Sequence, residues 1–308
     1  MAISAKDVSE LRAKTGVGMM DCKKALEEAG GNFDEAIKLL RERGLAVAAK
    51  KAGRIAAEGI VDILHDEPGG IAVMAEVNSE TDFVAKNENF QSFVKGCLET
   101  ILKQKPADVG ELLAMPFGGG MTVDEALKEK ILQMGENLSV RRFVIVEGIL
   151  STYIHNKGAI GVVVKVEADG EALAGEGFAE FKKNLALQIA SMNPMYVSRE
   201  DVPASVVAEE KEIIAAQIKN DEENAKKPAA VIEKMVDGRI RKYYEENCLL
   251  EQGYVKEDKI SVGAYVANYA KQSGGQVKVA AFYKYEKGEG IQKREDNFAE
   301  EIAKLTGK

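Results

Sequence analysis

Apolar positions recur at two spacings along this 308-residue chain, and the changes between them divide it. From Ser4 to Gly44 the spacing is helical, with Val8 and Leu11, then Met20, Ala25 and Leu26, then Ala36, Ile37 and Leu40. Ser4 reads as an N-cap. Gly16 and Gly18 separate the first helix from the second, Gly30-Gly31 stops the second, and Gly44 stands where the third should end. Three helices in about 40 residues make a small, marginally stable unit. Residues 45–57, rich in Ala and Lys, read as a helical linker.

Alternation then takes over, and it does so twice. Gly59-Ile60, Ile63-Leu64-His65, a turn at Pro68-Gly69-Gly70, the run Ile71 to Val77, and Phe90 with Phe93 form one unit. Gly148-Ile149, Tyr153-Ile154-His155, a turn at Asn156-Lys157-Gly158, the run Ile160 to Val166, and Phe178 with Phe181 form the other. Each unit reads strand, turn, strand, helix, with both Phe rings on one helix face. Neither has enough strands to stand alone, so the two are expected to pack together in an α+β core.

Helical spacing returns at Val206, Val207, Ile213, Ile214 and Ile218, breaks at Lys227-Pro228, and resumes from Val231 to Ile240, which predicts an antiparallel helical hairpin. A helix over Ser261–Ala270, a strand over Val277–Tyr285 and a last helix over Glu295–Leu305 complete the expectation. The chain thus divides into a three-helix module and linker (1–54), a first core repeat (55–147), a second (148–203), an inserted helical hairpin (204–250), and the remainder of the second half with a C-terminal helix (251–308).

Composition narrows the function. Charge is −8, from 42 basic and 50 acidic residues, so a general nucleic-acid binder is not expected. The local basic stretch Lys38, Arg41, Arg43, Lys50, Lys51 and Arg54 reads as a solvated helix face. Three separated cysteines, Cys22, Cys97 and Cys248, suit neither a disulfide framework nor a metal site and point to a reducing, cytoplasmic setting. No secretory leader and no membrane-length apolar run is seen. The Asn137-Leu138-Ser139 sequon carries no weight in such a setting.

Motifs for chemistry are missing. There is no phosphate-binding Gly-x-x-x-x-Gly-Lys-Ser/Thr loop and no nucleophile elbow; Gly288-Glu289-Gly290 reads as a turn and Gly118-Gly119-Gly120 as a loop. The two histidines, His65 and His155, lack partners at ligand or catalytic spacing, and His65 reads as structural. No catalytic residue, cofactor or metal is expected. One segment breaks the symmetry of the repeat: Asn78 to Asn87, where the second unit has Ala168 to Leu173. Ser79 and Asp82 are spaced as a capping box. Phe83 has two readings from its pattern, a core residue or an aromatic wedge that adds contact area at low entropic cost.

The stretch Thr15-Gly16-Val17-Gly18-Met19-Met20-Asp21-Cys22-Lys23-Lys24-Ala25-Leu26 resembles the N-terminal signature of the elongation factor Ts family. Thr81-Asp82-Phe83-Val84-Ala85-Lys86 resembles the second signature, and Gly135-Glu136-Asn137, His155 with Ile160-Gly161-Val162, and Glu233 to Arg239 also fit, in order over almost the whole chain. Ala159 departs from the arginine common in relatives, and Ser79-Glu80 replace a Cys-Gln pair of some. The resemblance implies a ubiquitin-associated-like N-terminal module, a two-part core and a protruding hairpin that serves dimerisation or partner contact, so a homodimer through 204–250 is one expectation. It also implies a guanine-nucleotide exchange factor, not an enzyme, whose partner is elongation factor Tu in its GDP state. Phe83 would enter the partner near its magnesium site, with Asp82, Thr81 and Val84 around it. Arg12, Met19 and Met20 would grip a surface helix of the partner, and Lys51, Met134, Gly135 and His155 would add contacts. The rival readings are an adaptor without exchange activity, a small-molecule enzyme with a groove between the repeats, and an RNA-binding factor using residues 38–54.

Overall fold

The computed structural model describes residues 3–221, 224 and 227–292. Three helices open the chain, α1 (Ala5–Thr15), α2 (Met19–Glu28) and α3 (Phe33–Lys51). The Ser4 hydroxyl accepts the Asp7 N–H, and the Asp7 carboxylate accepts the Ser4 N–H, which satisfies two donors a helix start otherwise leaves open. Gly16 closes α1 at φ 68°, and the Asn32 side chain caps α3. Val8, Leu11, Cys22, Leu26 and Leu40 form the module's own core.

A hairpin follows, β1 (Glu58–Asp66) with β2 (Ile71–Ser79), in register from Glu58↔Ser79 to Asp66↔Ile71. Next come a four-residue helix α4 (Asp82–Ala85), then α5 (Glu88–Gln104), α6 (Val109–Ala114), a small hairpin β3 (Pro116–Gly118) and β4 (Met121–Thr122), α7 (Val123–Met134) and β5 (Leu138–Glu147). β5 returns antiparallel to β2 and completes a first sheet in the order β1-β2-β5. The second half repeats the hairpin as β6 (Ile149–His155) and β7 (Ile160–Ala168), followed by α8 (Gly170–Ala174) and α9 (Phe178–Met192). The antiparallel pair α10 (Ala204–Asn220) and α11 (Ala229–Asn247) then projects. The short β8 (Gly253–Tyr254) and β9 (Glu257–Ser261), α12 (Val262–Ser273) and β10 (Val277–Glu286) return to the core, where β10 joins a second sheet in the order β10-β7-β6.

Each sheet carries its helix on one face. Phe90, Phe93, Val94 and Ile101 of α5 bury against Val73, Ala75 and Val77 of β2. Phe181, Leu185 and Ile189 of α9 bury against Val162, Val164 and Val166 of β7, with Tyr269 of α12 stacked on Phe181 at 4.3 Å. A buried Phe of this kind is worth roughly 1.5–3 kcal/mol over its exposed state. The opposite faces meet through Val61, Ala72, Met74, Leu150 and Val163. Gly161 permits this approach, since a Cβ there would lie 2.5 Å from Val61 Cγ1. The α+β class expected from the alternating units is the class observed.

Two expectations change. α3 does not stop at Gly44 but continues to Lys51, taking up part of the expected linker. Gly44 is buried against α7, where a Cβ would sit 3.4 Å from the Lys128 carbonyl oxygen, so this glycine permits helix contact instead of ending a helix. The N-cap before Phe83 is Thr81, not Ser79. Ser79 still belongs to β2, and its hydroxyl donates to the Thr81 carbonyl at 2.8 Å. α7 and β5 were not legible as separate elements. The expected helix 295–305 lies outside the described residues.

Fully buried Glu76, on β2, joins the halves. It accepts from Arg142 Nε at 2.6 Å, Arg141 Nη1 at 3.0 Å, Asn78 Nδ2 at 3.0 Å and the Gly288 N–H at 2.8 Å. The turn after β10 is thereby pinned to the first sheet. Burial opposes the Glu76 charge, but the Gly288, Asn78 and arginine donors outweigh it and hold the carboxyl below its usual range.

Candidate functional site

Phe83 is 80% exposed on a segment otherwise tied down. The Thr81 hydroxyl accepts the Val84 N–H and starts α4, and Val84 and Ala85 turn into the first core. Val84 therefore anchors the segment from within. Asp82, at the first helical position, accepts from Lys86 Nζ at 2.5 Å, and this bond holds its carboxyl below the ordinary range. The Lys86 ammonium also lies 5.9 Å from the centre of the Phe83 ring. The core reading of Phe83 is thus excluded; its ring stands in solvent on an anchored base.

The base is clamped from the junction of α7 and β5. Glu136 accepts from the Thr81 hydroxyl at 2.7 Å and from the Thr81 N–H at 3.0 Å. In return Glu80 accepts the Asn137 N–H at 2.6 Å, and Arg54 Nη1 lies 3.6 Å from Glu80. Asn137 Nδ2 donates to the Arg54 carbonyl at 2.8 Å, which leaves this asparagine nearly enclosed. Gly135 ends α7 at φ 73°, and its carbonyl accepts from Lys51 Nζ at the end of α3. Met134 packs against the first core. Thr81, Asp82, Phe83, Lys51, Met134 and Gly135, distant in sequence, are thus parts of one connected region.

The module is aligned by the same helix end. Gln133 Nε2 donates to the Thr15 carbonyl beside the Gly16-Val17-Gly18 turn. Arg12 precedes this turn on α1, exposed, and Met19 and Met20 follow it at the start of α2, 38% and 64% exposed. Gln133 in the last turn of α7 and Glu136 just beyond its end therefore hold the turn before the methionine pair and the base of the Phe83 segment, three residues apart in the chain.

His155 lies elsewhere on the core. It ends β6, exposed, with Nδ1 3.1 Å from the Tyr153 hydroxyl. Its turn, Asn156-Lys157-Gly158, has positive φ throughout, and the Gly158 carbonyl accepts the Val61 N–H at 2.8 Å. The turn is thus fixed to β1 of the other half.

Sequence reasoning missed the parts that Glu136, Glu80 and Arg54 play in holding the Phe83 segment, and the exposed Ile55 beside Arg54. The stretch Gly135-Glu136-Asn137 was the one signal toward the clamp. Among the described residues, no group of His, Cys, Asp and Glu is arranged to hold a metal ion, and no helix is long and apolar enough to cross a membrane. A cavity of about 290 Å³ beside the module is lined by apolar Val17, Ile37, Leu40, Leu45 and Leu132 and also by polar and charged groups such as Arg41 and Glu125.

A family model described as "Elongation factor TS" matches residues 80–289. Similar full-length relatives include an "Elongation factor Ts" of Clostridioides difficile (strain 630), 48% identical over 98% of both chains. Another, from Syntrophotalea carbinolica, is 46% identical over 99% of this chain and 100% of its own. A third, from a Nitratiruptor species, is 46% identical over 98% of this chain and 99% of its own.

Proposed function

We propose, since the chain belongs to the elongation factor Ts family, that it is a guanine-nucleotide exchange factor of translation elongation. It binds elongation factor Tu with GDP and speeds GDP release by seating Phe83 near the partner's magnesium and phosphate site. Asp82 acts beside it, Arg12, Met19 and Met20 grip the partner's surface, and Lys51, Met134, Gly135 and His155 border the contact.

The observation that carries this reading is the 80% exposure of Phe83 on a base fixed by Thr81, Glu136 and buried Val84. Exposing an aromatic ring to water is unfavourable, and ordering its base costs chain entropy. Both costs are recovered when a partner covers the ring. A pre-ordered aromatic anchor enters with little further entropy loss, which is the property of interface hot spots. Met19 and Met20 fit the same use, as flexible side chains that adapt to a surface that moves. Exchange requires no covalent step: tighter binding to the nucleotide-free partner weakens nucleotide binding by the same factor. A thousandfold faster release needs about 4 kcal/mol off the barrier, within reach of one buried aromatic together with a displaced magnesium site.

The test is stopped-flow release of a fluorescent GDP analogue from elongation factor Tu. The intact protein should accelerate release by orders of magnitude. Phe83→Ala and Asp82→Ala should blunt the effect while leaving thermal unfolding nearly unchanged, because both side chains are largely solvated. Unchanged release with the intact protein would refute exchange. Full acceleration by Phe83→Ala would refute the wedge alone.

A further inference from the structure

A cleft of about 250 Å³ opens between the two hairpins, walled by Ile60, Val94 and Ile154, with Asp62 inside and Gln91 and Lys157 also lining it. That volume is several times the share of one liquid water. Its two sides belong to the elements already described. The Gln91 side chain donates to the Ala85 carbonyl at 3.3 Å, which joins the cleft to the end of the Phe83 helix. Ile154 and Lys157 flank His155, and the Gly158–Val61 hydrogen bond closes the inner end.

Asp62 contrasts with two other enclosed acids of the chain. Glu76 meets two guanidinium groups, and Glu80 meets Arg54 and a backbone N–H. Asp62 accepts only the N–H of Ile63, at 2.8 Å on Oδ1, and forms no ion pair among the described residues. Lys95 acts on it only at longer range and lies 4.0 Å from Glu99. Burial raises its carboxyl above the usual range, and the backbone bond and Lys95 offset this only in part. A half-desolvated carboxylate without a cation costs the free protein stability. An apolar-walled cleft with such a group inside is complementary to one kind of side chain: a long alkyl stem ending in a positive charge.

We propose that this cleft receives one lysine or arginine side chain of the partner GTPase, with its stem between Ile60, Val94 and Ile154 and its cation on Asp62. The inference rests on the exchange reading, because the cleft lies between the Phe83 helix and the His155 turn. It makes Asp62 a specificity residue of that interface. Lys157 lines the same cleft from an exposed turn but forms no ion pair with Asp62 among the described residues, which leaves that carboxylate to the partner's cation.

The experiment measures affinity for nucleotide-free elongation factor Tu by calorimetry, at two salt concentrations, for the intact protein, Asp62→Asn and Lys157→Ala, with GDP release followed in parallel. Asp62→Asn should weaken binding about tenfold, as expected for loss of a partly buried charge pair, and should reduce its salt dependence. The same variant should unfold at a higher temperature, because an uncompensated charge is gone; a residue that served only the fold would not combine these two effects. Lys157→Ala should bind as tightly as the intact protein or more so. Unchanged affinity for Asp62→Asn, or equal weakening by Lys157→Ala, would overturn the proposal while leaving exchange intact. Failure of the intact protein itself to accelerate release would instead remove the exchange reading.

Discussion

Glu136→Ala would separate the positioning of Phe83 from its contact. The substitution leaves the ring in place and removes two hydrogen bonds to Thr81, of 2.7 and 3.0 Å. Bonds to a charged acceptor are worth about 1.5–3 kcal/mol each when well enclosed. This pair is only part-buried, so about 1 kcal/mol each, or about 2 kcal/mol together, is the appropriate scale. The loss should be felt locally, because a four-residue helix has no stability of its own. If the seated conformer alone promotes exchange, about 2 kcal/mol of lost positioning lowers the acceleration by up to about thirtyfold. Stopped-flow GDP release measures that factor, and amide hydrogen exchange over residues 81–86 should show faster opening. In a Thr81→Ala background, which already lacks the hydroxyl bond, the further cost of Glu136→Ala should fall to about half. Intact acceleration together with intact amide protection in Glu136→Ala would refute the claim that this carboxylate positions the wedge.

Other outcomes follow from the same packing. Glu76→Gln should destabilise the protein by about 3 kcal/mol, since it strips the charge from a buried site that still holds two arginines; Arg142 retains Glu289 at 3.0 Å, which keeps the cost near the low end for a broken buried pair. The Glu76 carboxyl is depressed in the folded state, so its contribution is present above the unfolded value of about 4.3 and is lost as pH falls through the folded one. Urea unfolding should therefore show the gap between native and variant narrowing in acid; a constant gap would contradict the assignment. Cys22, Cys97 and Cys248 are free and buried, with desolvation pushing the Cys97 thiol up to about 12 and Cys248 to about 11. All three should resist iodoacetamide at a pH of about 8 in the native protein and react in urea, as read by mass spectrometry.

Much of the architecture was legible because local rules and tertiary structure agree. The hairpin turns at Pro68-Gly69-Gly70 and Asn156-Lys157-Gly158 lie between strands at both places, and the Phe pairs at i, i+3 face their sheets. Ser261 caps α12, and Lys227-Pro228 separates α10 from α11. Where one residue serves two rules, the local reading chose the wrong one. Gly44 has the composition of a helix stop, but its missing side chain is used for contact with α7. Ser79 and Asp82 have the spacing of a capping box, but β2 extends through Ser79 because Glu58 pairs with it. The strand β5 escaped notice because it is half-buried and carries Arg141 and Arg142 within its apolar run, so its alternation is blurred.

Periodicity, turn chemistry and caps act over a few residues, and they were enough to set the class of elements, their order, the two-part core and the segment that departs from its repeat. The chain's motifs also named the family. Long-range packing decided that Phe83 faces water, that Glu136 and Glu80 clamp its base, and that Glu76 ties the turn after β10 to the first sheet. It also placed Asp62, without an ion pair among the described residues, in a cleft between the halves. Each of these depends on residues about 20 to more than 200 positions apart meeting in space, where burial and hydrogen bonding set the energy of a side chain, and no local spacing rule carries that information.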